Sequence, residues 1–417
     1  MSDDSLPSPQ SRPRRAFLLL MAALTPATPL AAQAAASGRS SARSRPSAAP
    51  FSVHIGAYAP NSEGIYSFSA DPATGHLRPR GPSGLTRNPH SPSWLQADPA
   101  RPGLLYAANE GGGSVHVYRQ QADGALQLLQ ALPSGGQGPV HLSLHPTAPF
   151  AFVPHYGSAD LAVLRRAADG QFSPVGLHPS CDRSLPEDCR LGPERAAKAP
   201  PGSFAISGHE AAHMHMALSS PDGRFVLASD LGRDRLAVWP FNPETGALGS
   251  RQDLALSPGA GPRHFVFHPR DARQLYLLNE EASTLAWLQM EPHSGRLSQR
   301  LEISALPEGF AGTNFASDLI ASGDGRFLYA LNRLHDSIAV FALAADGTPR
   351  LLTHEWTRGS YPRSARFSPC GRWFYVCNQR SDHVTVFAVD AASGLPRFAG
   401  QYVAVPSPAC AEVMVAA

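Results

Sequence analysis

The chain has 417 residues, 43% hydrophobic and 16% charged, with 36 glycines, 40 prolines and a formal net charge of +2. Its length supports one large buried core, and the near-neutral balance gives no footing for nucleic acid as a partner. Proline and glycine at this abundance suit a fold of many tight turns, and beyond residue 50 no apolar run is long enough to span a bilayer.

The first 34 residues read as an export signal. Arg14-Arg15-Ala16-Phe17-Leu18 precedes the apolar run LLLMAAL, and Ala32-Gln33-Ala34 offers a small-x-small cleavage site. Paired arginines followed by x-Phe-Leu are similar to a twin-arginine signal, which exports folded proteins. A general secretory signal is the alternative, and both place the protein in the periplasm. Residues 35–50, polar and small, read as a disordered tether.

From Phe51 onward one pattern recurs seven times: an apolar strand, a turn at Pro-Asp-Gly or its equivalent, a second strand, a polar break, a third strand rich in Val, Ile and Phe, and a Gly-x-Leu close. The closing glycines are Gly75, Gly124, Gly170, Gly246, Gly295, Gly347 and Gly394, spaced by 49, 46, 76, 49, 52 and 47 residues. A period of this length with four short strands predicts an all-β, seven-bladed β-propeller over residues 51–417. The long interval marks an insertion on the third blade, at about residues 178–208. The first copy lacks an opening strand, and the C-terminal PSPACAEVMVA supplies it, so that the ring closes with no unpaired edge.

In each blade the start of the innermost strand and the end of the second strand share one mouth of the central channel. Aligning the copies on their turns places Ser93, Val140, His215, Arg263, Ser317 and Arg363 in one register. Alternation predicts that the next residues, Trp94, His141, Met216, His264, Asp318 and Ser364, point the other way. The second strands end at Glu110, Tyr156, Leu231, Glu280, Arg333 and Gln379. Packing alone asks for small or apolar groups here, as at Val140 and Leu231. Arginines with a glutamate and an imidazole instead suit an anion and proton transfer; mutual pairing of Arg and Glu to close the channel is the alternative.

The segments NPHSPSWL, LLYAANE, HMHMALSSPDGRFVLASDLGRDRL, GAGPRHFVFHP, LYLLNE, GRFLYALNRLHDSIAVF and YPRSARFSP resemble the seven-bladed propeller lactonases, the family of bacterial 6-phosphogluconolactonase and the fungal carboxymuconate cyclase. The resemblance covers the chain after the tether. It implies hydrolysis of a sugar lactone by metal-independent acid/base catalysis at the channel mouth, without a cofactor, by a monomer. It also implies that His215, Arg263, Glu280 and Arg333 are catalytic: Glu280 and His215 handle protons, while Arg263 and Arg333 hold the substrate's anionic group. Arg363, Glu110, His141, His264 and Tyr156 are expected to bind the lactone. No nucleophile elbow is present, so a covalent acyl-enzyme is not expected. A propeller that binds a ligand without catalysis is the alternative in the periplasm.

His209-Glu210-Ala211-Ala212-His213 matches the H-E-x-x-H zinc signature. It is preceded by Pro-Pro-Gly-Ser and runs into a strand, leaving too few residues for the required helix, so no metal site is expected. Cys181 and Cys189 are suited to a disulfide stapling the insertion, and Cys370, Cys377 and Cys410 to packed or free thiols.

Overall fold

The computed structural model describes residues 50–182, 184, 196–205 and 208–415. The predicted export signal, the tether up to residue 49 and Cys189 lie outside the described residues. From Phe51 onward the described chain forms seven antiparallel sheets in ring order. Blade 2 runs outward through Pro92–Ala97, Leu104–Asn109, Ser114–Gln120 and Leu126–Pro133. Blades 3 to 7 repeat this order, with innermost strands at Ser143–Leu144, Met214–Ser219, Pro262–His268, Ala316–Ala321 and Pro362–Phe367.

Blade 1 closes the ring. Its innermost strand is the C-terminal Pro408–Val415, paired antiparallel with Phe51–Ala57 so that Phe51 faces Val415 and Ala57 faces Pro408. This is the closure expected from the missing opening strand.

Strand position in the blade dictates composition. Second strands such as Phe225–Asp230 and Trp373–Asn378 are buried along their whole length, because neighbouring blades cover both faces. Outermost strands such as Leu126–Pro133 alternate toward solvent. Between the blades lie the apolar layers: Phe150, Phe152, Met214, Val226 and Phe241 join blades 3 and 4, and Phe51, Val53, Ile55, Trp373, Tyr375 and Val386 join blade 1 to blade 7. Fully burying one such large side chain contributes about 2 kcal/mol, which makes the ring cooperative. The closing glycines all adopt positive φ, between 71° and 93° for Gly75 to Gly394, so the repeat marker is a turn that needs the left-handed region.

The insertion joins the outer strand Phe172–Pro179 of blade 3 to blade 4. Its described stretch, residues 196–205, lies along the rim of blades 5 and 6: Ala196 packs on Ala260 and Ala282, the Gly312 amide donates to the Pro201 carbonyl at 2.8 Å, and Lys198 pairs with Glu302. Cys181 is disulfide-bonded, while Cys370, Cys377 and Cys410 are free. Among the described residues no helix is long and apolar enough to cross a membrane.

Candidate active site

Seven β-bulges build the site. Pro262 pairs with Asn279 and His264 with Leu278, leaving Arg263 as an extra residue. The same shift falls at Ser93, His215 and Arg363, and within Ser317-Asp318. It recurs at Ala409 in blade 1 and between Pro139 and Ser143 in blade 3. A bulge turns two consecutive side chains toward one side. The strict alternation expected from the sequence therefore fails: Arg263 and His264 both reach blade 6, the first to the Ser317 carbonyl and the second to the Asp318 carboxylate.

The upper layer is the mouth. Glu280 follows the second strand of blade 5, its amide donating to the Gly261 carbonyl at 2.6 Å. Gly261 has φ 65°, and a Cβ there would collide with the Glu281 side chain, so the turn whose carbonyl receives the Glu280 amide favours glycine. Glu280 Oε2 meets Arg263 Nε at 2.9 Å and Oε1 meets Arg333 Nη2 at 2.5 Å, with the three residues 8%, 3% and 5% exposed. The guanidinium of Arg333 is further fixed by the Phe315 and Ala316 carbonyls and the Tyr361 hydroxyl. Burial works against the Glu280 charge, but Arg333 and Arg263 outweigh it and hold the carboxyl below the usual range. Burial draws Arg263 down to about 10, offset in part by Glu280.

Around this trio stand the other predicted mouth residues. Arg363 lies over the Tyr58 ring at 4.9 Å, and the Tyr58 hydroxyl donates to Glu110 Oε2 at 2.8 Å. Burial opposes the Arg363 charge, yet Tyr58, Glu110 and Glu280 raise its pKa overall. Tyr156 stacks on His213 at 4.1 Å and meets His215 edge-on at 6.0 Å. His215 is held well below the ordinary histidine range by burial, then by Arg263, His264, Arg363 and Arg333. It is a neutral imidazole with a buried Nδ1 that makes no hydrogen bond.

His264 and His141 occupy a lower layer on the axis. His141 lies against Trp94 at 4.3 Å with the rings tilted by 37°, and His264 lies 5.1 Å from His215 and 5.5 Å from Trp94, ring centre to ring centre. Below them Arg366 pairs with Glu412 at 2.5 Å. The H-E-x-x-H segment forms a turn: His209 pairs with Asp234, while His213 donates to the Tyr156 carbonyl. Each of the two histidines thus uses one ring nitrogen in a separate contact.

Sequence reasoning overlooked Tyr58, which follows the N-terminal strand of blade 1. It occupies the same place as Glu110, Tyr156 and Glu280, and its signal was the missing opening strand of the first repeat. It also assigned Asp318 away from the site, for want of any signal of the bulge.

The sequence pattern that defines "Lactonase, 7-bladed beta-propeller" matches residues 52–413. The chain belongs to this propeller lactonase family. It is similar to a 6-phosphogluconolactonase of Bacillus subtilis, 28% identical over 87% of this chain and 97% of the relative. A probable 6-phosphogluconolactonase of Arthroderma benhamiae is 29% identical over 80% and 82% of the two chains. Among solved structures, the periplasmic gluconolactonase of Pseudomonas aeruginosa superposes with a TM-score of 0.76 at 30% identity, covering 88% of this chain and all of the other. For this propeller lactonase, the convergence of Arg263, Glu280 and Arg333 from successive blades is the feature on which a catalytic reading rests.

Proposed function

We propose that the protein is an exported lactonase that hydrolyses an unphosphorylated aldonolactone, or another acidic lactone, in the periplasm as a monomer, without metal or cofactor. The observation that carries the reading is the Arg263–Glu280–Arg333 cluster at the channel mouth. Export is supported by the twin-arginine-like segment of residues 14–34.

The lactone carbonyl carbon is attacked by water while its oxygen gathers charge. Two guanidinium groups, already oriented, meet that oxyanion without reorganising, which is the larger part of such catalysis. Glu280 has both oxygens ion-paired with guanidinium groups, so its part is to orient them and to temper their charge. Proton handling falls to His215, a neutral imidazole that can accept a proton. Arg363, Glu110 and Tyr156 line the approach and bind the hydroxyl-rich ring.

The compensation of charge also bears on the substrate. Arg263 and Arg333 share Glu280, and Arg363 faces Glu110 through Tyr58, so no pair of arginines is left uncompensated for a phosphate dianion. The phosphorylated lactone is the second reading, favoured by the name of the Bacillus relative. Titration at constant pH with glucono-δ-lactone and with its 6-phosphate, for the wild type and Glu280→Gln, separates the two. The reading expects faster turnover of the unphosphorylated lactone and its loss in the variant. Rates for both proteins no higher than spontaneous hydrolysis would leave only a binding module.

A further inference from the structure

We propose that His264, oriented by Asp318, is a positioning residue that takes up the proton released at His215, through one water bridging the two imidazoles. The inference rests on the lactonase reading and adds a route for the proton.

Asp318 accepts three hydrogen bonds: from His264 Nδ1 at 2.8 Å and the Leu319 amide at 2.9 Å on Oδ1, and from the Ala365 amide at 3.1 Å on Oδ2. It thereby ties blades 5, 6 and 7 together under the mouth. Burial would raise its pKa, but His264 and the Ala365 amide prevail and hold it near 2, so it is a carboxylate that can only accept. His264 must then carry its proton on Nδ1. Its Nε2 is a lone pair, buried in a residue 3% exposed, with no hydrogen-bond partner. His215, 5.1 Å away ring to ring, carries at Nδ1 another buried nitrogen without a hydrogen-bond partner, as does His141. Buried nitrogens left without a partner are costly, and one water bridging His264 Nε2 and His215 Nδ1 would satisfy both.

The charged surroundings give the route a direction. A proton left on His215 would sit among Arg263, Arg333 and Arg363 with no carboxylate hydrogen-bonded to the ring. On His264 it meets the Asp318 carboxylate. The other groups near His264 are Arg263 on its own strand, His141 of blade 3, His215 of blade 4, and Arg363 and Arg366 of blade 7. Glu412 neutralises Arg366, and Trp94 of blade 2 adds no charge. Asp318 is the only carboxylate hydrogen-bonded to an imidazole of this stack among the described residues.

In the step, the attacking water breaks an O–H bond and its oxygen bonds to the carbonyl carbon. His215 accepts the proton on one ring nitrogen and releases another from Nδ1, and the bridging water delivers a proton to His264 Nε2. When the ring C–O bond breaks, the proton returns by the same path to the leaving oxygen. The sum is lactone plus water giving hydroxy acid.

The test measures kcat and KM for glucono-δ-lactone against pH in the wild type, Asp318→Asn and His264→Gln, with melting curves to count folded protein. We expect kcat per folded molecule to fall about 10²-fold in both variants, with KM within about twofold of wild type. The surviving acid limb of Asp318→Asn moves to lower pH, because the lost carboxylate had favoured the imidazolium. His264→Gln keeps the test decisive if Asp318→Asn fails to fold, since Asp318 also holds two amides. Wild-type kcat in His264→Gln, or a loss confined to KM, would overturn the relay alone. A wild type inert toward every lactone would overturn the lactonase reading and the relay with it.

Discussion

Replacing Glu280 with glutamine is the most informative perturbation of the mouth. The substitution keeps the shape but removes the charge that Arg263 and Arg333 share at 2.9 and 2.5 Å. Two buried guanidinium groups then face an amide, and breaking a buried pair by removing one partner costs about 3–5 kcal/mol. With an unfolding entropy of about 2.1 cal/mol/K per residue over roughly 360 residues, that lowers the melting midpoint by about 4–7 °C. Because the guanidiniums lose their common anchor, kcat falls by about 10²-fold or more. Adding Arg333→Met to Glu280→Gln removes one uncompensated charge, so the double variant melts higher than Glu280→Gln while staying inactive. Scanning calorimetry and constant-pH titration provide both readouts. A Glu280→Gln protein that melts with the wild type, or a double variant that melts lower still, would refute the reasoning.

Other expectations follow from the same structure. Arg333→Lys retains the charge but not the fork that reaches Glu280, two carbonyls and the Tyr361 hydroxyl, so kcat/KM drops about 10²-fold with little change in net charge, as steady-state kinetics will show. His54 is lowered to about 3, by burial first and then Arg80, and unfolding restores an ordinary pKa of 6.5, so the unfolded chain binds more protons between these values. Its contribution to stability is therefore complete above pH 6.5 and lost as pH falls toward 3; melting midpoints decline over that window and the decline is shallower in His54→Gln. Deleting residues 408–417 removes the inner strand of blade 1 and exposes the edge of Phe51–Ala57, so the truncated chain yields no monomer with a cooperative melt in size-exclusion and circular dichroism.

The architecture was legible because it is written seven times. Each closing glycine marks a turn that needs positive φ, and each second strand is apolar throughout because two neighbours cover it. The four mouth residues could be aligned by the same periodicity. What periodicity could not show is a bulge: one extra residue changes the facing of its successor without changing composition. That is why His264 and Asp318 were expected to turn away from Arg263 and Ser317, yet point with them into the next blade. The commitment of Glu280 to two guanidiniums was legible only as an alternative, since register gives convergence but not distance. Tyr58 escaped because the first repeat has no turn proline to align on.

The pairing of Phe51 with Val415, at the far end of a strand whose other end reaches Tyr58 and the mouth, has a practical consequence. The polypeptide enters and leaves the ring side by side, on the side remote from Glu280. A support, label or fused module joined directly at Phe51 or Val415 would therefore hang from the underside and leave substrate entry clear. The same adjacency suits the ring to circular permutation: a short linker could join Val415 to Phe51, with new ends opened in an outer hairpin.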